Sequence, residues 1–187
     1  GATGYHLSFP TKENDRVYEK PVLNFYYLGI SAHSIVDPLK KMLNEKKTIK
    51  HCRILLMDPG AKNLSRQIAF KNGVHVSEDF SSVQPQLLDT IKVETAAESS
   101  TILAMTEKLK AIPAFKECVL EIRYYDQFAP WWMYVIDESQ IYVGILECGK
   151  PGIKSPVLMV NKMDKMASTF DSFMNLWESL WLDGRQV

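Results

Sequence analysis

The chain has 187 residues, 46% of them hydrophobic and 24% charged, which suits one globular domain with a sizeable core. Lysine plus arginine equals aspartate plus glutamate at 22 each, so no global field steers the chain toward nucleic acid or an anionic membrane. No apolar run reaches the ~20 residues that span a bilayer, and no charged-then-apolar leader opens the sequence. The expected setting is cytoplasmic.

Residues 1–20 are polar and read as an irregular N-terminal segment, with Pro10 and Pro21 as breakers; residues 21–187 read as a single domain. Gly1 in place of a methionine suggests a cleaved tag or a piece of a longer chain. Val22 to Ile30 is a dense aromatic and apolar run expected to form a buried strand. Ser31 or Ser34 is placed to cap a helix reaching about Lys47, with Ile35, Leu39 and Leu43 on one face. Cys52 to Met57 predicts a second strand, stopped by Asp58-Pro59-Gly60. This β-α-β order implies parallel pairing with a right-handed crossover.

Lys62 to Lys71 predicts a short helix ending at Asn72-Gly73. Pro85 to Ile112 is helical by composition, but Glu94 to Ser100 carries no large apolar residue. That gap is either an exposed turn of one helix or a break between two. Four further strands are expected at Cys118–Tyr125, Met133–Ile136, Tyr142–Leu146 and Val157–Val160. Phe170, Phe173, Met174, Trp177, Leu180 and Trp181 recur at spacings of three and four, the mark of a closing amphipathic helix over a sheet. The whole predicts an α/β fold with a mixed central sheet flanked by helices.

Pro130 to Glu147 is the most informative stretch. Two β-branched and aromatic runs, Trp131 to Ile136 and Ile141 to Leu146, flank a polar Asp137-Glu138-Ser139-Gln140 turn, the pattern of a β-hairpin. The surroundings resemble one repeat of the phospholipase D-like family, whose signature strand reads H-x-K-x-x-x-x-D and precedes a strand bearing G-S-x-N. Aligned on Asp137, the family's histidine falls on Pro130 and its lysine on Trp132. Gly144 keeps the glycine, while serine and asparagine become Ile145 and Glu147. The resemblance thus implies the fold and argues against its usual reaction. Proline offers no lone pair for attack on phosphorus, and an indole brings one neutral N–H and no charge. Active members pair two repeats across a two-fold, so a single repeat here implies a homodimer for any such geometry.

Other motifs compete. His51-x-Arg53-x-x-x-x-Asp58 fits the same spacing, but lies in the first β-α-β unit with no hairpin after it. Asn161-Lys162-Met163-Asp164 matches a guanine-reading N-K-x-D, yet the phosphate-cradling G-x-x-x-x-G-K-[ST] is absent from the chain. Gly29-Ile30-Ser31-Ala32-His33 has the position of a nucleophile elbow, with His33 in place of its second glycine; plain helix capping or a ligand-contacting turn fits it better. Cys52, Cys118 and Cys148 are widely spaced; Cys52 and Cys118 begin apolar runs, so the cysteines read as reduced structural thiols. His6 and His75 form no ligand spacing, so neither a metal nor a cofactor is expected.

These readings converge on a non-catalytic phospholipase D-like sensor domain, with resemblance to modules of bacterial regulators that carry an upstream DNA-binding domain. Its candidate ligand-binding residues are Ser31, His33, Arg123, Asp126, Trp132 and Asp137, facing a small anionic or planar ligand. The competing expectations are a homodimeric phosphodiesterase or nuclease using a displaced histidine, His33 or His51, and a structural assembly domain.

Overall fold

The computed structural model describes residues 2–6, 22–46, 49–75, 80–81, 83–150, 156–162 and 168–187. Eight strands form one mixed sheet: β1 (Ala2–His6), β2 (Asn24–Gly29), β3 (His51–Met57), β4 (Leu120–Tyr125), β5 (Trp131–Ile136), β6 (Gln140–Ile145), β7 (Val157–Asn161) and β8 (Arg185–Gln186). Their spatial order is β1-β7-β6-β5-β2-β3-β4-β8. Strands β2, β3 and β4 run parallel; every other pairing is antiparallel. The fold is therefore α/β with a mixed central sheet flanked by helices.

The parallel trio sits mid-sheet, covered on both faces, which is why its strands are near-continuous apolar runs. Phe25, Leu28, Cys52, Ile54, Leu55 and Leu56 are all fully buried. The hairpin β5–β6 then adds antiparallel to β2, with Tyr27 opposite Tyr134 and Tyr134 opposite Tyr142. Its turn is type I′: the Ser139 amide donates to the Ile136 carbonyl, and Asp137 and Glu138 both have φ 51°. The Asp137 carboxylate accepts from the amides of Leu23 and Asn24 at 2.7 and 2.9 Å, tying the turn to the start of β2.

Five α-helices complete the described fold: α1 (Val36–Lys41, continued by a π-helical turn Met42–Lys46), α2 (Lys62–Lys71), α3 (Pro85–Lys110), α4 (Pro113–Lys116) and α5 (Ser168–Asp183). The stretch Pro85–Lys110 is one unbroken helix, and its polar middle serves polar contacts. Asn72 Nδ2 donates to Glu94 Oε2 at 2.8 Å, and Ser99 Oγ donates to the Pro59 carbonyl at 2.9 Å. Helix α3 lies on the sheet face of Tyr124, whose hydroxyl meets Thr106 at 2.9 Å.

Helix α5 closes the opposite face, as its spacing predicts. Trp177, wholly buried, stacks between Tyr26 (4.7 Å, 18°) and Trp181 (5.2 Å, 12°). The Arg53 guanidinium lies 5.5 Å from the Tyr26 ring and 5.4 Å from that of Trp181, with Glu121 at 3.5 Å.

Three local expectations are corrected. Residues 1–20 are not irregular throughout: Ala2–His6 forms edge strand β1 on β7, because β7 offers an unpaired ladder and the breaker Pro10 lies beyond it. The remaining residues of that segment lie outside the described ones. Neither Ser31 nor Ser34 caps α1; the helix is entered through backbone turns from Ile35 and Val36 to the Ala32 carbonyl. Cys118 is exposed at φ 57°, because β4 starts two residues later than its apolar run and Cys118 falls in the turn after α4.

Candidate functional site

The carboxyl end of β2, β3 and β4 is where open α/β sheets place their ligands. Because β5 runs antiparallel to β2 and β6 antiparallel to β5, the same edge receives the start of β5 and the end of β6. Ser31, His33, Asp126 and Trp132 all gather at this edge. The half-buried Ser31 accepts the Tyr27 hydroxyl on its carbonyl at 2.9 Å. His33 is exposed. Asp126 accepts from Asn63 Nδ2 on both its carbonyl (3.0 Å) and its carboxylate (3.3 Å).

Trp132 is half-buried with its ring laid across Gly144, the residue opposite it on β6. A β-carbon on Gly144 would stand 1.9 Å from the indole Cε2, so any larger residue there would have to displace the ring. Tyr134 meets the same indole edge-on at 5.3 Å and lies 5.3 Å from Tyr27. Trp132, Tyr134 and Tyr27 thus form an aromatic cluster at this end of β5, an arrangement for packing or stacking.

Arg123 and Asp137 stand apart from that group. Arg123 lies two residues from Tyr125 on β4, pairs with Leu55, and turns to the α5 face, under Trp181. Asp137 sits at the hairpin tip, the far end of β5 from Trp132. The competing histidine motif is also dispersed: His51 is exposed at the start of β3, opposite the site edge, and Arg53 is clasped between Tyr26 and Trp181. Of N-K-x-D, Asn161 accepts from Gln140 Nε2 at 2.9 Å and Lys162 lies 5.8 Å from the Phe170 ring; Met163 and Asp164 lie outside the described residues.

Sequence reasoning placed helix α2 but missed its role in spanning this edge. Asn63 on α2 reaches Asp126, Arg66 lies 5.5 Å from the Phe128 ring, and Phe70 meets Phe128 edge-on at 5.6 Å. At its other end the Phe70 carbonyl accepts from the Gly149 amide at 3.0 Å. Helix α2 is therefore pinned both to the β4–β5 loop and to the loop after β6. Gly73 (φ 82°) and Gly149 (φ 75°) sit back to back, and a β-carbon on Gly149 would meet the Gly73 Cα at 3.2 Å. Asn63, Arg66, Gln67 and Phe70 recur at helical spacing, the signal that could have found this face. Gln67 is 1% exposed, and neither its Oε1 nor the buried Arg66 Nε has a hydrogen-bond partner among the described residues.

Burial pushes the Cys52 thiol and the Tyr125 hydroxyl well above their ordinary ranges, so neither is a nucleophile at neutral pH. Among the described residues no group of three or more His, Cys, Asp or Glu is placed to hold a metal, and no helix is long and apolar enough to cross a membrane. Concave grooves of about 450 Å³ and about 350 Å³ open between α2 and α3, with Trp132 in the lining of neither; one is lined by Phe80 and Leu88, the other by Asn72 and Glu98.

No family model and no curated protein matches the sequence. Among solved structures the chain is similar to a phospholipase D family member, Nuc, from Salmonella typhimurium, at 11% identity with a TM-score of 0.46. The alignment covers 98% of this chain and 97% of that one.

Proposed function

We propose that this chain is a non-catalytic domain built on a phospholipase D-like repeat, which acts by binding a ligand at the carboxyl edge of its sheet. The observation that carries the reading is Trp132 seated over Gly144, in the motif position that would need a cation to neutralise a transferred phosphoryl group. Pro130 beside it has no nucleophilic atom. Ser31, His33 and Asp126 supply the polar groups of the binding edge, with the exposed flank of Trp132 as a surface for a planar ligand.

A displaced histidine is a poor alternative nucleophile. Neither His33 nor His51 has a carboxylate or carbonyl orienting its ring among the described residues, and activation of a covalent nucleophile requires such a partner. The test is release of p-nitrophenol from bis-p-nitrophenyl phosphate. The expected rate equals that of buffer. Turnover that His33→Ala or His51→Ala abolishes, with folding intact, overturns the proposal. Binding is read in parallel by tryptophan fluorescence with nucleoside monophosphates as planar anionic probes; a response lost in both Trp132→Ala and His33→Ala supports the assigned edge.

A further inference from the structure

The solvent side of α3 carries an uncharged stripe that does not suit a helix facing only water. Val93, Ala96, Ala97, Ser100, Leu103 and Ala104 are all exposed, and they recur along one side of the helix. Val93 is 70% exposed and Leu103 is 50% exposed. Charges resume only at the two ends of the stripe. At one end Asp89 pairs with Lys92 at 3.2 Å, and at the other Glu107 pairs with Lys110 at 3.5 Å.

We infer that this face binds a second copy of the chain, α3 packing antiparallel on α3 about a two-fold axis between Ser99 and Ser100. The charge arrangement selects that occupant and that register. A two-fold at this point sets Lys92 against Glu107 of the second copy and Asp89 against its Lys110. At the same setting Ala96 meets Leu103 of the second copy. All three pairs are symmetric about the same point and lie toward the same edge of the stripe. Each in-chain ion pair thereby becomes one side of a four-charge square of alternating sign, one square at each end of the contact. A parallel arrangement would instead oppose like charges. Alanine and serine along the centre let two helix axes approach closely, within the ~8–10 Å range of packed helices. Such a contact uses none of the binding-edge residues Ser31, His33, Asp126 and Trp132, so the inference stands independently of that function.

Sedimentation equilibrium of the whole chain tests the inference. The expected result is a reversible dimer. Ser100→Arg, which puts bulk and charge beside the axis, weakens it by about a hundredfold or more. Lys92→Glu opposes Glu107 of the other copy and weakens it by about tenfold, whereas Lys92→Glu combined with Glu107→Lys restores it. These positions are exposed, and far-ultraviolet circular dichroism confirms that each variant is folded. A chain that stays monomeric up to ~1 mM, or a dimer indifferent to Ser100→Arg, overturns the inference, as does a charge swap that fails to restore association.

Discussion

Arg123 grips Trp181 in two ways: its Nη1 donates to the Trp181 carbonyl at 2.7 Å, and its guanidinium lies 4.6 Å from the centre of the same residue's indole. The contact ties β4 to the last turn of α5 and satisfies a helix-terminal carbonyl with a cation. It makes Arg123 a clamp for the closing helix.

Arg123→Ala is therefore expected to lower stability by about 1.5–3 kcal/mol, the range for a hydrogen bond to a charged group. Arg123→Lys, which keeps the charge but loses the planar fork, should fall between the two. Urea denaturation followed by circular dichroism measures both, and neither variant should alter nucleotide-induced fluorescence. A loss of that response without a loss of stability would return Arg123 to the binding edge.

The seat of Trp132 predicts a coupled pair. Gly144→Ala forces a β-carbon into the indole, at the ~1–3 kcal/mol typical of overpacking, and should raise the accessibility of Trp132 to acrylamide. In a Trp132→Ala background the same change meets no ring. The double variant should then be more stable than the sum of the single effects implies, and strict additivity would refute the contact.

At the hairpin tip Asp137 has two duties, adopting φ 51° and accepting from the amides of Leu23 and Asn24. Asparagine keeps an oxygen and tolerates the left-handed backbone, glycine keeps only the backbone, and alanine keeps neither. Stability should fall in the order Asn, Gly, Ala, with alanine losing on the order of 2–4 kcal/mol from an orphaned amide pair plus strain. A different order in thermal denaturation would mean that the turn, and not the tie to β2, dominates.

Alkaline pH should destabilise the fold through three buried groups. Burial raises the Tyr26 hydroxyl, reinforced by its 2.5 Å hydrogen bond to Glu138 Oε1, and burial alone raises Tyr125 and Cys52. Each group keeps its proton longer folded than unfolded. Its contribution is complete below the unfolded value and is lost as pH rises through the folded one. Above about pH 9 for Cys52 and about pH 10 for the tyrosines, each should remove up to ~1.4 kcal/mol of stability per pH unit. Tyr26→Phe should flatten part of that slope; an unchanged slope would show that Tyr26 is not a source.

Most of the fold was legible because its signals are local. The runs around Phe25, Ile54 and Val135 could only be strands, and Phe170 to Trp181 repeats at a helical period over a sheet. Strand β8 was not legible, since Arg185 and Gln186 carry no apolar signal and owe their pairing to the antiparallel edge of β4 and to the Arg185–Asp58 ion pair at 2.8 Å. The site was read in part. Ser31, His33, Asp126 and Trp132 share an edge because strand ends do, but which face Arg123 takes depends on register against β3, and that is a long-range property. The role of α2 was hidden for the same reason: Asn63 and Phe70 show helical spacing, while their partners Asp126, Phe128 and Gly149 lie far along the chain.

Trp177 and Trp181 are stacked nearly parallel, close enough for their transition dipoles to couple, with Tyr26 extending the column from the sheet. Indoles held rigidly in such a chiral stack give near-ultraviolet circular dichroism that vanishes once the rings part. The closing helix thus brings its own optical signature, and its detachment can be followed separately from the unwinding of the other helices. If that near-ultraviolet signal disappears ahead of the general helical signal during denaturation, α5 is the first element to leave.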